Sequence, residues 1–206
     1  MLAPIKDTRL IRRSPSATDG KPVPHWGIPE VRALVDDARQ EGRGNKGNRN
    51  ALLISTLFDA ALRISEALGL RPQDVVRNEN GYRLHVDGKT GRRQVAVSPS
   101  LVSQLLSYAY EQRLGPEERF FPINRHRAWQ IVDRAAEAAG LVKPSGVGTV
   151  HILRHSGAIE RMRVSGNPRS VQDQLGHASA AMTLRYFRTL AAEESLQIQE
   201  RVDFGW

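Results

Sequence analysis

The 206-residue sequence contains no cysteine, which excludes disulfide bonds, thiolate nucleophiles and cysteine-ligated zinc. It also lacks any apolar run that approaches the ~18 residues of a membrane-spanning helix. The N-terminal stretch MLAPIKDTRLIRRSPSATDG has no uninterrupted apolar segment after its charges, so it does not resemble a signal peptide. We therefore expect a cytoplasmic protein that does not span a membrane.

Acidic residues are the minority charge. The 22 Asp and Glu stand against 30 Lys and Arg, which gives a net charge of +8 and a pI near 10.4. This excess predicts a polyanionic partner, with nucleic acid as the first candidate and an anionic membrane as the second. A merely basic soluble protein is the alternative. Hydrophobic residues make up 40% of the chain, enough for the core of one domain, with or without a small appendage.

Residues 1–27 have the composition of a tail, because they are rich in proline, serine and glycine and carry a cluster of arginines. The cluster consists of Arg9, Arg12 and Arg13. This segment is either a flexible basic arm that touches the DNA backbone or a disordered leader without a role.

The remaining pattern predicts a mainly α fold with one small three-stranded antiparallel β-sheet in its first half. Helical apolar spacing begins at Pro29, is interrupted by the glycine-rich segment 42–48, and resumes over about 50–61 and through SEALGL, where Gly69 ends the helix. Alternating apolar residues predict three strands, at 74–76, 82–86 and 93–97, separated by the turn formers Asn80-Gly81 and Asp87-Gly88. Further helices are predicted at about 99–113, 124–139, 149–164, 168–175, 179–187 and 189–201.

Two candidate functional residues lie in the first half of the chain. Arg63, in ALRISEALGL, follows an apolar helix face, where a charge is costly unless an anion meets it. Glu66 could be that partner in a purely structural ion pair. Lys89, in GKTGRR, lies at the predicted tip of the second hairpin, where it is either simply solvated or delivered by the loop as a proton donor.

The segment HILRH carries the next candidates. His151 and Arg154 are three residues apart and share a helix face. His151 and His155 are four apart, a spacing that also suits two zinc ligands, but the zinc motif needs a glutamate where Ile152 stands. A zinc hydrolase that uses His151, His155 and His177 therefore remains only as a hypothesis from a different class.

The last candidates lie in LGHASAAMTLRYF. His177 follows Gly176 at a predicted helix end, and Tyr186 comes nine residues later, beside Arg185. A tyrosine in such a position is ordinarily surface or core filler.

Together these residue types fit a phosphate better than a metal. Two arginines can hold the non-bridging oxygens of a phosphodiester, and they matter most as charge builds there in the transition state. A lysine can protonate a leaving alkoxide, and histidines handle protons near neutral pH. A tyrosine, whose pKa is ordinarily ~10, needs neighbouring cations and a base to act as a nucleophile.

On these residues the chain resembles the tyrosine recombinase (phage integrase) family. Its six sequence matches, in chain order, are Arg63 in ALRISEALGL, Lys89 in the hairpin turn, His151 and Arg154 in HILR, His177 in LGH, and Tyr186. The resemblance covers about residues 28–190 and implies a catalytic domain with the DNA breaking-rejoining fold. It leaves residues 1–27 as the basic arm and residues 191–206 as a C-terminal helix or tail.

The resemblance implies that Arg63 and Arg154 bind the scissile phosphate and that His177 donates a hydrogen bond to it. Tyr186 would attack the phosphorus, giving a 3′-phosphotyrosyl link and a free 5′-hydroxyl. Because that link conserves the energy of the phosphodiester, no ATP, metal ion or other cofactor is expected.

Proton transfer falls to two further residues in this scheme. Lys89 would act as general acid toward the 5′-oxygen, and His151 would assist proton transfer, mainly for Tyr186. We interpret Glu66 as a buried structural partner of Arg63, and His155 as a packing residue or a support for the site.

The resemblance also implies partners. These are double-stranded DNA and further copies of the chain, from dimer to tetramer, which exchange strands through a Holliday junction. Most family members carry an additional N-terminal helical domain, which the roughly 28 residues before the catalytic domain are too few to build. The chain in this respect resembles the short fimbrial phase-switch invertases, and it could need an accessory DNA-binding protein. The apolar residues of the tail either pack on their own domain or are donated to a neighbouring protomer.

Two other functions are compatible with the same residues. A type IB topoisomerase-like enzyme would use a similar site, although the short chain and the LGH motif favour a recombinase. A catalytically silent DNA-binding or regulatory protein of the same fold would keep DNA binding and lose covalent chemistry.

Overall fold

The computed structural model describes residues 22–42, 44–88, 91–144, 146–177 and 180–200. Within them the chain is mainly helical with one small sheet, as predicted. The helices are α1 Ile28–Gly42, α2 Gly44–Asp59, α3 Ile64–Gly69, α4 Pro99–Glu111, α5 Arg125–Ala138, α6 Thr149–Ser165, α7 Pro168–Leu175 and α8 Ala180–Gln199. A single 3₁₀ turn, Pro72–Asp74, follows α3.

The sheet has the order β1-β2-β3, with β1 at Val75–Asn78, β2 at Gly81–Gly88 and β3 at Gly91–Val97, and both pairings are antiparallel. Its alternation is that of a sheet with one buried face, because Leu84 and Val86 of β2 and Val95 and Val97 of β3 are buried while their neighbours are not. The predicted strands are confirmed. The tip of the β2–β3 hairpin, residues 89–90, lies outside the described residues.

The larger core lies between the buried face of the sheet and the first five helices. Leu53, Ile54 and Leu57 of α2 are completely buried in it. Glycine allows α1 and α2 to approach closely, since a Cβ atom at Gly47 would lie 2.1 Å from the carbonyl oxygen of Arg39. The carboxyl end of α2, just before Arg63, packs against α6, where a Cβ at Gly157 would lie 2.0 Å from the Phe58 carbonyl oxygen.

A second core joins α6, α7 and α8 to residues 22–27, here called the N-terminal strap. Val23 of the strap is buried in the same apolar cluster as Tyr186 and Leu190 of α8. The Val23 N–H donates to Thr189 Oγ1 at 2.8 Å, and the Trp26 N–H donates to Ser156 Oγ at the same distance. The packed part of the chain thus begins before residue 28, the boundary expected from the sequence, because Val23 and Trp26 bury apolar side chains that proline-rich composition conceals.

Two helices differ from the prediction. The segment 42–48 does not separate two helices by seven residues: α2 begins at Gly44, which adopts a φ of 53°, and its glycines serve close packing as well as the turn. The region 180–199 is one helix and not two. Thr189, at the predicted boundary between the two helices, is helical. Its hydroxyl donates to the carbonyl of Arg185, one turn back, at 2.9 Å.

None of the helices in the described part of the chain has the length and apolar character that crossing a bilayer requires.

Candidate active site

Arg63 marks the start of α3 and is held there by Glu66. Its backbone is extended, and its N–H donates to Glu66 Oε2 at 2.8 Å, so the glutamate satisfies a free donor at the helix start. The Arg63 guanidinium also donates from Nη1 to Oε1 of the same carboxylate at 3.0 Å. The side chain of Arg63 is nevertheless 36% exposed, so part of its guanidinium faces solvent and is available to an anion.

Glu66 is the centre of a cluster of three arginines. Its side chain is 1% exposed and pairs with Arg63, with Arg93 at 2.8 and 3.0 Å, and with Arg154 at 3.6 Å. Burial by itself would raise the pKa of Glu66, but the hydrogen bonds from Arg93 and from the Arg63 backbone outweigh it and lower the pKa. Glu66 is therefore ionised, and three guanidinium groups converge on one carboxylate.

Arg93 was not singled out in the sequence, although it binds Glu66 with two parallel hydrogen bonds. Its side chain extends from β3 and lies against two glycines, Gly88 and Gly176. A Cβ at Gly88 would lie 2.8 Å from its Nη1, and one at Gly176 would lie 2.9 Å from its Nε. Its partner lies 27 residues away in sequence, which no local pattern reveals. Arg93 thus ties the hairpin to α3 and to the turn before His177.

Arg154 is almost fully buried on α6, with a side chain that is 6% exposed. Its Nη1 donates to the Ala61 carbonyl at 2.7 Å and its Nη2 to the Leu175 carbonyl at 2.9 Å. Ala61 has a φ of 50°, a left-handed conformation that turns the chain sharply between α2 and Arg63. Burial, followed by the charge of Arg63, lowers the pKa of Arg154 to about 10, so it remains charged at neutral pH.

His177 lies beside Arg154 at the end of α7. Gly176, with a φ of 61°, caps that helix and directs the following imidazole inward. Arg154 Nη2 lies 3.4 Å from His177 Nε2, and Thr183 Oγ1 lies 3.1 Å from Nδ1. Since arginine only donates, we assign the proton to Nδ1. Burial, followed by the charges of Arg154 and Arg63, lowers the pKa of His177 to about 4, so it is neutral near pH 7.

Tyr186 lies in the first half of α8 and is 2% exposed. Its ring stacks on His177, with centroids 6.2 Å apart and planes at 21°, and its Oη lies 2.9 Å from Nδ1 of His155. Burial raises the pKa of Tyr186, although Arg154, Arg185 and Arg63 act in the opposite direction. The phenol is therefore protonated, and the nearby cations favour its ionised form.

His155 was interpreted from the sequence as packing or support, yet it is the residue that contacts the tyrosine hydroxyl. Its spacing of four from His151 put both on α6 but could not show which one faces α8. His151 is exposed. Partial burial of its ring, followed by Arg154 and Arg125, lowers the pKa of His151.

The structure thus brings together Arg63, Arg154, His177 and Tyr186, with His151 on the same helix as Arg154. Lys89 lies outside the described residues. Across the described ranges, no three His, Asp or Glu side chains are arranged to hold a metal ion. His155 and His177 bind Tyr186 and Arg154 respectively, and the zinc hydrolase hypothesis finds no support in this arrangement.

The site holds a buried tyrosine beside clustered arginines and histidines, on a mainly α fold. This arrangement is typical of proteins that carry out covalent phosphodiester chemistry. Comparison with known proteins gives the particular family. The model of the phage integrase family matches residues 29–193, and the chain belongs to this family.

Two curated relatives show the extent of the match. The chain is 32% identical over 210 residues to the tyrosine recombinase XerD of Mycobacterium leprae, a match that covers 93% of this chain and 64% of the relative. It is 29% identical over 170 residues to the tyrosine recombinase XerC of Pelobacter propionicus, covering 79% and 54%. The chain therefore spans less than two thirds of the length of these relatives.

Solved structures agree with the fold. A XerH site-specific recombinase, in a post-cleavage complex with a palindromic difH substrate, aligns with a TM-score of 0.73 at 26% identity, covering 88% of this chain and 54% of that one. The XerA recombinase aligns with a TM-score of 0.68 at 25% identity, covering 93% and 68%. These neighbours confirm the expected tyrosine recombinase catalytic-domain fold.

Proposed function

We propose that this chain is a site-specific DNA recombinase, which cleaves and rejoins DNA strands through a covalent 3′-phosphotyrosine intermediate and a Holliday junction. The observation that carries the proposal is the convergence of Arg63 and Arg154 on Glu66, with His177 and Tyr186 stacked beside them. Membership of the phage integrase family supports it. Because the proposed substrate is DNA, we propose that the protein acts in the cytoplasm.

In this proposal the guanidinium groups of Arg63 and Arg154 bind the non-bridging oxygens of the scissile phosphate. They stabilise the charge that develops there as the bond between Tyr186 Oη and phosphorus forms. His177 donates a further hydrogen bond once its ring is oriented toward the phosphate. The bond from phosphorus to the 5′-oxygen breaks in the same step.

Two protons move in that step. The phenol of Tyr186 passes its proton to His151, the residue expected to assist, while His155 of α6 is its hydrogen-bond partner. The leaving 5′-oxygen gains a proton from Lys89 at the hairpin tip. Rejoining reverses both transfers, so the protein needs no metal ion or cofactor for a balanced cycle.

The proposed partners are duplex DNA and further copies of this chain, as a dimer to tetramer on DNA. A XerH neighbour was captured on its DNA substrate before cleavage and after it, which supports the DNA partner. In α8, Leu190 is buried against other residues of its own chain, while Leu196 is 61% exposed. That exposure supports the exchange of residues 191–206 between protomers. An accessory DNA-binding protein remains part of the proposal.

One observation favours the alternative of a catalytically silent DNA-binding protein. Tyr186 is 2% exposed, so little of its surface is open to an incoming phosphate. A type IB topoisomerase-like enzyme would share this buried tyrosine.

The test uses nicked suicide duplexes made from the DNA that flanks the gene, incubated with the protein in EDTA and quenched in SDS. We expect wild type to form a protein–DNA adduct and Tyr186→Phe to form none, because the variant lacks only the nucleophilic oxygen. DNA affinity of Tyr186→Phe, measured by gel shift, should stay close to wild type. Specific binding by wild type without an adduct would favour the silent protein, and relaxation of supercoiled plasmid without strand exchange would favour the topoisomerase.

A further inference from the structure

The hydroxyl of Tyr186 is held by a residue to which neither the sequence motifs nor the family resemblance assigns a role. Oη lies 2.9 Å from His155 Nδ1, and the two rings lie 5.6 Å apart at 49°. The hydrogen bonds described for the hydroxyl of Tyr186 therefore lead to His155 and not to His151, although both histidines lie on α6.

The direction of this hydrogen bond follows from the surroundings. Burial raises the pKa of Tyr186, so its phenol keeps its single proton. Burial, followed by the charges of His151 and Arg154, lowers the pKa of His155 to about 4, so its imidazole is neutral. A protonated phenol beside a neutral imidazole donates its O–H to the unprotonated Nδ1. This assignment leaves the His155 proton on Nε2.

The position of His155 in the chain links this hydrogen bond to phosphate binding. His155 directly follows Arg154, whose guanidinium is fixed by the carbonyls of Ala61 and Leu175. The same turn of α6 therefore holds the arginine that would bind the phosphate and the imidazole that holds the nucleophile.

We propose that His155 is a positioning residue for Tyr186: by accepting the phenol hydrogen bond at Nδ1, it fixes the direction in which Oη faces the phosphate held by Arg154. This inference rests on the proposed function. It assigns to His155 the contact with Tyr186 that the sequence had led us to expect from His151.

A structural hydrogen bond between α6 and α8 would have the same geometry, so the test must separate orientation from stability. His155→Leu removes the acceptor and keeps the apolar bulk. His155→Asn places an amide group close to the position of Nδ1, where it can accept the phenol hydrogen bond but cannot take up a proton at neutral pH. Thr56→Ala is the matched control, since it deletes another buried hydrogen bond, 2.7 Å from Thr56 Oγ1 to the Leu52 carbonyl, away from the tyrosine.

The readouts are the single-turnover rate of adduct formation on the suicide duplex, the Kd for the same duplex and the Tm of each protein. For His155→Leu we expect a loss in rate of about 100-fold, the size typical of a misplaced reacting group, with an unchanged Kd. His155→Asn should recover the rate to within about tenfold of wild type. Thr56→Ala should lower Tm and leave the rate unchanged.

Each other result has a definite meaning. A wild-type rate in His155→Leu would overturn the inference alone. So would His155→Asn reacting as slowly as His155→Leu, because acceptance of the hydrogen bond would then be insufficient. If His155→Leu does not fold, the comparison of His155→Asn with Thr56→Ala decides, and a 100-fold loss in His155→Asn contradicts positioning. If wild type forms no adduct on a duplex that it binds specifically, the proposed function itself fails.

Discussion

Glu66 shows how a single buried carboxylate can organise a site. Removing such a charge from water has a large desolvation cost, and only close and well-oriented partners offset that cost. Here the partners are two hydrogen bonds from Arg93, one from the Arg63 backbone and one from the Arg63 guanidinium. Arg154 lies slightly farther away, at 3.6 Å. The carboxylate thus holds arginines from three separate parts of the chain close to one another.

The buried histidines predict that stability depends on pH. Burial lowers the pKa of His155 and of His177 to about 4, from an ordinary value of 6.5. In the unfolded chain both protonate near 6.5, so below that pH the unfolded state binds protons that the folded state does not. The free energy of unfolding should therefore fall between about pH 6.5 and 4, by up to ~1.4 kcal/mol per pH unit for His155. The contribution of His177 should be smaller, because its ring is only half-buried and solvent screens its charge.

Urea unfolding at a series of pH values across this window measures the effect. His177→Gln should remove less than half of the slope, because His155 and His151, whose pKa is also lowered, still titrate. A free energy of unfolding that stays constant from pH 7 to pH 5 would contradict the burial of these rings.

At the scale of elements, the crossing of α2 and α6 at Gly157 sets the distance between the two arginines of the site. A Cβ at Gly157 would lie 2.0 Å from the carbonyl oxygen of Phe58, so only glycine allows this approach. Arg63 follows α2, and Arg154 lies on α6 one turn before Gly157. Any widening of the crossing therefore separates the two guanidinium groups.

We expect Gly157→Ala to lower the free energy of unfolding by at least about 2 kcal/mol, since backbone must move to relieve the overlap. Adduct formation should fall as well. Gly69→Ala is the control, because a Cβ at the end of α3 meets no atom within 4 Å and alanine suits a helix better than glycine. Urea unfolding of both variants tests this, and equal stability of the two would show that α2 and α6 can separate without cost.

The elements also show what sequence reasoning can reach. The three strands and most helix positions were predicted because periodicity is a local signal that packing reinforces. The continuity of α8 and the early start of α2 were not predicted. Thr189 acts through a hydrogen bond within the helix, and Gly44 acts through its positive φ. In the site, Arg63, His151, Arg154, His177 and Tyr186 were predicted from the motifs in which the chain resembles its family. Arg93 was missed, and the contact of His155 with Tyr186 was not foreseen. Their partners lie 27 and 31 residues away in sequence, and only the tertiary fold brings them together.

For the whole molecule, the net charge of +8 predicts binding to DNA that weakens steeply with salt. Each phosphate that the protein neutralises releases counterions, and the logarithm of the affinity falls by about 0.9 per phosphate for each decade of salt. We expect affinity for a non-specific duplex to fall at least tenfold between about 50 and 200 mM salt, measured by fluorescence anisotropy. A flat dependence would show that the basic surface does not meet the DNA backbone.

The N-terminal strap has a mechanical consequence. Its backbone hydrogen bond reaches Thr189, one helical turn from Tyr186, and its Val23 side chain shares an apolar cluster with the tyrosine. Tension on the chain before residue 22 would therefore be transmitted to the helix that carries Tyr186 and, through Trp26, to α6. The strap mechanically couples the N-terminal part of the chain to the position of Tyr186.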